Sequence, residues 1–437
     1  MHDHPLGADR TMTIEHVARV EGHGNIVVNI REGVVEEVRL EIVESPRFFE
    51  SMLVGQDAPA APELTSRICG ICSVGHTTAS IRAVETAYGI EPSAQTILLR
   101  QIMLHAEILQ SHILHLYFLV APDAFSAPSV IPLAEKNGEV VQRALRLKKF
   151  ANRIMAVIGG RHIHPVSMKV GGFTRIPAEG ELREILKAAP AADADIDETV
   201  KLFEGIRFPD FKRDTEYLAL RQADRYSFYG GRIESSKLGP VDPDQYLSLI
   251  KESVVRHSTA KHAHFHHKPF AVGALARYNL NGRETLSPRA RRAAAALDLE
   301  QMKDNPFGNN AAQVVECVHL LDEIADSVRS VISLGLKDEK PARVPETSGH
   351  GVGAVEVPRG TLYHEYEMDG LGHIAHANCV IPTGQNLARI EQDLREMVPQ
   401  ILDRPESEVR LQCEMLLRAY DPCISCSTHM LNVEFRK

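Results

Sequence analysis

RICGICSVGH (67–76) and DPCISCSTH (421–429) decide how this chain is read. Each holds two cysteines separated by two residues, the spacing at which one tight backbone turn aims both sulfurs at a single metal. Such a pair taken alone fits three chemistries. A structural four-cysteine zinc site usually places its pairs about 15–20 residues apart in one small ribbon, whereas these stand near opposite ends of a 437-residue chain. A redox C-x-x-C opens a helix after a strand in a βαβ unit, and two in one chain would be unusual. The third reading is a transition-metal active site. If the pairs form one site, the fold must bring residue 70 beside residue 425.

Composition narrows the field. With 44% hydrophobic and 24% charged residues the chain is globular and long enough to bury a large core. Acidic residues outnumber Lys and Arg by 58 to 49, giving a net charge of -9, the reverse of the basic footprint that a phosphate backbone requires. Nucleic acid is therefore not expected as a partner. Charges interrupt every apolar run before the ~20 residues needed to span a bilayer, so direct membrane insertion is not expected either. The first thirty residues lack a basic segment followed by an apolar one, which points to the cytoplasm unless a partner carries an export signal.

Periodicity sets the expected organisation. GNIVVNIREGVVEEVRLEIVE (24–44) alternates on both sides of Gly33 and reads as a hairpin. Apolar three-and-four spacing predicts helices over 77–88, 93–119 and 139–158, then near 181–189, 193–206 and 244–256, and a long one over 309–335 stopped by Gly335. Strand character returns over 354–381 around a Met-Asp-Gly turn, and helices over 386–401 and 406–419 lead into the second cysteine pair. The expected fold is α+β and mainly helical: a central helical bundle with small flanking α/β and β-hairpin pieces, the metal site joining the two C-x-x-C motifs. An N-terminal mixed β region (1–66) and a helical core (67–437) with the hairpin insert are expected to form one integrated domain.

The flanks of the two pairs resemble the signatures of [NiFe] hydrogenase large subunits, R-x-C-G-x-C-x-x-x-H and D-P-C-x-x-C-x-x-H, at every fixed position. RVEGHG (19–24), PRFFESMLVG (46–55), GGRHIHPVSMKVGGF (159–173), VGALAR (272–277), VPRGTLYHEY (357–366) and CVIPTGQN (379–386) extend the resemblance, with Ala274 where the family has proline. The stretches near 174–240 and 280–345 carry no matching motif.

The resemblance implies reversible heterolytic cleavage of dihydrogen at a nickel–iron centre with two cyanides and one carbon monoxide on iron. Cys69, Cys72, Cys423 and Cys426 would bind nickel, with Cys72 and Cys426 also bridging to iron. Soft thiolates suit both metals and bind when deprotonated. Arg359, Pro382 and Thr383 would surround the iron ligands, with Arg359 also a candidate proton acceptor. Glu21 would relay a proton with the terminal thiolate of Cys423, aided by a carboxyl pKa that burial raises. Asp123 is expected as a supporting carboxylate, and His76 as a residue orienting a cysteine or its loop. Glu50, His429 and the backbone carbonyl of Cys379 would hold magnesium or iron at a second site.

Cys317, Cys379 and Cys413 are too few for a four-cysteine cluster. Electrons would leave through an iron–sulfur small subunit, and from there through flavin, ferredoxin or disulfide-reductase subunits. No cluster or nucleotide is expected in this chain. A dihydrogen sensor with the same site is the alternative in a different class. The tail MLNVEFRK (430–437) is shorter than most of the extensions that a maturation peptidase removes in the family, and both readings, a removable extension and an uncut vestige, stay open. HSTAKHAHFHH (257–267) is not expected to be a metal site, and TSGHGVGAVE (347–356) lacks the pattern of a nucleotide loop.

Overall fold

A computed structural model describes residues 10–428. The N-terminal stretch forms an antiparallel sheet of Arg10–Ile14, Gly24–Arg31 and Val34–Ile42 in that order. The expected hairpin is present, with Gly33 in the left-handed region at φ +76° where a side chain would be strained. Ile26, Val28, Ile30, Val38, Leu40 and Ile42 are all buried.

Five long helices, Ser73–Tyr88, Ala94–Leu114, Gly138–Gly159, Glu179–Glu204 and Gly308–Leu334, make up the bundle. Ser93 caps the second, its hydroxyl accepting the Thr96 N–H at 3.1 Å. That helix then widens into a π-type turn over His115–Val120. The two short helices expected at 181–189 and 193–206 are one continuous helix with Pro190 inside it. Proline removes one backbone bond, but Leu182, Ile185, Ala192, Ile196 and Phe203 bury the same face on both sides of it. The helix expected at 244–256 is mostly absent. A short Tyr246–Leu249 turn leads into the strand Ile250–Ser253, which pairs antiparallel with His262–Phe265. Cross-strand pairing overrides the helix-like spacing of Tyr246, Leu249 and Ile250.

The predicted hairpin near 354–381 is larger than expected. Gly349–Val357, Gly360–Met368 and Ile374–Val380 form an antiparallel three-stranded sheet. Pro358 and Arg359 form the two-residue connection between its first strands. The Ser73–Tyr88 helix lies directly on the first strand, where a Cβ on Gly351 or Gly353 would collide with the backbone of Ala83 or Ala79. The glycine-rich stretch is therefore a helix-packing surface. Helices Pro382–Met397 and Glu406–Ala419 follow as read from the sequence. Ile26 and Leu40 of the N-terminal sheet share one hydrophobic cluster with Leu104, Leu320, Leu417 and the four paired cysteines. Among the described residues no helix is long and apolar enough to cross a membrane.

Gly353→Ala should lower stability by about 1–3 kcal/mol or more, because neither backbone has room to retreat. A melting temperature equal to that of the unsubstituted protein would contradict this packing.

Candidate metal centre

The first cysteine pair sits where a short helical turn, Ser66–Ile68, gives way to extended backbone at Cys69. The Cys69 sulfur accepts the N–H groups of Ile71 and Cys72, both at 3.3 Å, which closes the C-x-x-C turn. Cys72 then begins the Ser73–Tyr88 helix. The exposed N–H groups at that helix start are taken by a buried carboxylate, Glu107, at 2.5 Å from Val74 N and 2.8 Å from Gly75 N. Burial pushes the Glu107 carboxyl well above its ordinary range despite these bonds.

The second pair is held from two sides. The Cys423 N–H donates to Thr383 Oγ1 at 2.9 Å, tying it to the start of the Pro382–Met397 helix. The backbones of Cys423 and Glu21 form a parallel bridge, with Ile424 N donating to Glu21 O at 3.0 Å. Sulfurs from the two pairs meet at 3.6 Å for Cys69 with Cys423 and 3.6 Å for Cys72 with Cys426, and Cys423 lies 2.9 Å from Cys426. All four lie within 4.8 Å of one another, fully buried, and none is in a disulfide.

Hydrogen bonds from Cys423, Cys426 and Cys72 hold the Cys69 thiol well below its usual range. Cys72 is pushed up to about 11, as the bonds from Cys423 and Cys426 are outweighed by Cys69 and by burial. Burial first, and then its sulfur neighbours, push Cys426 well up as well. As metal ligands the four sulfurs are thiolates, and in one dry pocket their charge exceeds what the buried arginine over them supplies. The donor set therefore fits soft, thiophilic divalent metals.

Arg359 is that arginine, 5% exposed. Its Nε donates to Asp421 O at 2.6 Å and its Nη2 to Asp421 Oδ1 at 3.0 Å, with Ser111 Oγ 3.4 Å from Nη1. Burial would lower its pKa, but Asp421 and the cysteine charges raise it well above the ordinary value, so the guanidinium is held protonated. A second buried arginine fixes the loop that carries it. Arg277 pairs with Glu316 at 2.7 Å and Glu356 at 2.9 Å while donating to Val357 O at 3.0 Å and Pro358 O at 3.2 Å. Burial works against ionisation of Glu316, yet Arg277 and His112 hold it down to about 2.

The family model for nickel-dependent hydrogenases matches residues 47–137 and 213–429. The chain belongs to the nickel-dependent hydrogenases. It is a large subunit of the [NiFe] type. It is 33% identical to the sulfhydrogenase 1 subunit alpha of Pyrococcus furiosus, covering 97% of this chain and 98% of that one. It is 34% identical to the sulfhydrogenase 2 subunit alpha of the same organism, over 96% and 99%. The solved structure of an NAD+-reducing [NiFe]-hydrogenase in the H2-reduced state superposes with a TM-score of 0.86, at 26% identity over 97% of this chain and 100% of that one.

In this hydrogenase a small cavity of about 10 Å³ touches Cys72, Cys423, Cys426, Arg359, Pro382 and Thr383. His76 also lines it, with Nδ1 3.1 Å from His364 Nε2. Burial lowers His76 to about 4, so the imidazole is neutral at working pH. Glu21 is half-buried, and its Oε2 accepts the Ser425 N–H at 3.0 Å within the second cysteine loop. Asp123 lies elsewhere. Its carboxylate is occupied by Arg418, at 2.9 and 3.0 Å, and by Arg19, clamping the RVEGHG segment to the Glu406–Ala419 helix. The carboxylate beside Arg359 is Asp421, visible in the sequence as part of DPC but not singled out there. Ser111 and Glu107 had no local signal, and His364 lies inside the quoted VPRGTLYHEY stretch with nothing there to set it apart. Glu50 Oε1 accepts the Cys379 N–H at 2.8 Å, so these two expected partners are adjacent, while His429 lies outside the described residues.

Asp421→Asn keeps the shape but removes the charge that orients Arg359, and should lower dihydrogen turnover about tenfold or more with nickel content unchanged. Turnover within twofold of the parent, measured on protein of equal nickel content, would show that Arg359 does not depend on it.

Proposed function

We propose that this subunit splits dihydrogen reversibly at a centre held by Cys69, Cys72, Cys423 and Cys426, and passes the electrons to an iron–sulfur small subunit. The observation that carries the reading is the convergence of four buried sulfurs from the two ends of the chain. When bound, the nickel–iron centre with its carbon monoxide and cyanides supplies the soft, electron-rich site at which the H–H bond is polarised and cleaved. Cys72 and Cys426, which line the cavity at 3.6 Å from each other, are the proposed bridging ligands, and Cys69 and Cys423 the terminal ones.

The protein's own groups do the rest. Arg359 holds a fixed positive charge and donors over the cavity, while Pro382 and the Thr383 hydroxyl close its side. Arg359, bonded to Asp421, is proposed as a donor to the iron ligands and as a candidate first proton acceptor. Glu21 is the proposed acceptor of the proton from Cys423, since the backbone bridge keeps the two residues side by side. Ser425 fixes it in place: its backbone N–H donates to Glu21 Oε2 at 3.0 Å, while its hydroxyl donates to Glu44 Oε2 at 3.1 Å. His76 supports the Cys72 turn from beneath, its N–H bonded to Cys72 O at 3.1 Å.

At the second site Glu50, the Cys379 carbonyl and His429 are proposed to hold magnesium or iron. The Cys379 N–H donates to Glu50 Oε1 at 2.8 Å, and this carboxyl lines a cavity of about 340 Å³, which supports grouping the two residues at one site. Cys317, Cys379 and Cys413 are buried in separate places, which supports a separate chain as the carrier of clusters. The Pyrococcus relatives are named as alpha subunits of their enzymes. A flavin, ferredoxin or disulfide-reductase subunit is proposed beyond the small subunit.

Native complex purified with its partners should reduce an artificial dye under dihydrogen and contain nickel and iron. Glu21→Gln should retain the metals but lose most dihydrogen/deuterium exchange, by about 10²-fold or more. Unchanged exchange would remove Glu21 from the proton route, and metal-loaded complex inert to dihydrogen would remove the proposed reaction.

A further inference from the structure

The histidine-rich segment 257–267 has no part in the chemistry above. Its fold neighbours give it one. His257, in the loop before the strand His262–Phe265, and His262, the first residue of that strand, both face Glu391 on the Pro382–Met397 helix. His257 Nε2 lies 2.7 Å from Glu391 Oε1, and His262 Nδ1 lies 3.9 Å from Glu391 Oε2. One ligand atom from each of the three residues falls within 4.8 Å of the others.

His262 distinguishes this cluster from an ordinary histidine–carboxylate pair. It is 2% exposed, its Nδ1 is too far from the carboxylate for a hydrogen bond, and its Nε2 has no hydrogen-bond partner. An ion bound between a buried imidazole and the carboxylate it faces is one way such a group is satisfied, and Nδ1 is the His262 nitrogen on the Glu391 side. The surroundings are fixed in advance. Leu40 N donates to Glu391 Oε1 at 2.8 Å, and the Thr259 hydroxyl bonds to Ile42 O at 3.0 Å and Glu44 O at 2.7 Å, pinning the loop to the N-terminal sheet. His257 and Glu391 are half-buried, which leaves an entry path for the ion and for water.

We propose that His257, His262 and Glu391 form a three-ligand site for a zinc-class divalent cation, separate from the nickel–iron centre, with water completing the coordination. Two imidazoles and one carboxylate are an established donor set for zinc with an open fourth position; bonds of about 2.0–2.2 Å set tetrahedral donors roughly 3.4 Å apart, between the 2.7 Å and 3.9 Å contacts seen here, so small side-chain turns seat the ion. Glu391 lies eight residues beyond Thr383 on the same helix, about 12 Å along its axis. The ion therefore staples the helix bearing Thr383 to the loop and strand that carry His257 and His262, and through Thr259 to the N-terminal sheet, a structural role.

The test uses the purified hydrogenase complex, equilibrated with zinc and then freed of loosely held metal by gel filtration. Elemental analysis should find one zinc per large subunit beyond nickel and iron, lost in His257→Ala and in Glu391→Gln with nickel and iron unchanged. His267→Ala, an exposed neighbour outside the cluster, should keep it. An anomalous difference map at the zinc edge, collected on the unsubstituted complex, should show a peak between the three side chains. No retained zinc in the parent, equal zinc in Glu391→Gln, or a map without that peak would overturn the proposal. The map decides the matter even where a variant fails to accumulate.

Discussion

Four thiolates in one dry pocket repel one another, and the rest of the molecule is arranged around that constraint. As thiolates they need cations to neutralise them, and they meet because separate parts of the chain are tied across the gap. The Glu21–Cys423 backbone bridge, the Thr383 hydroxyl on Cys423 N and the Glu107 carboxylate at the helix after Cys72 are those ties. Each fixes backbone and leaves the sulfurs free to bind metal.

A set of buried ion pairs surrounds this core. Asp421 aims Arg359, Arg277 with Glu316 and Glu356 sets the loop carrying Arg359, and Asp123 joins Arg19 to Arg418. Buried pairs of this kind contribute little net stability, but loss of one partner leaves a charge stranded, at about 3–5 kcal/mol. Their value here is positional. They hold the Arg359 guanidinium and the segment bearing Glu21 in register with sulfurs that arrive from opposite ends of the sequence.

What the sequence made legible is local. The two C-x-x-C turns, the VPRG and VIPTG loops and the RVEGHG segment are each read within ten residues, and the structure brings them to one place. The Gly33 hairpin and the stop at Gly335 follow from single residues with special backbone freedom. Partners chosen across the fold were not legible. The partners of Asp123, Arg418 and Arg19, come from far along the chain and are set by helix packing that no local pattern encodes. Ser111, Glu107 and His364 carry no pattern of their own. The strand at 250–253 was hidden for the same reason, since its partner lies across a loop. Glycines 351 and 353 were visible, but their purpose appears only when the helix beneath them is placed.

X-ray absorption at the nickel K-edge of the purified enzyme addresses the convergence of the two cysteine pairs most directly. A nickel shell made up of sulfur donors, with about four sulfurs at thiolate distances and fewer in a Cys69→Ser or Cys423→Ser enzyme, is the expected result. A nickel shell of nitrogen and oxygen donors, or a protein that holds zinc and no nickel in its place, would contradict the account.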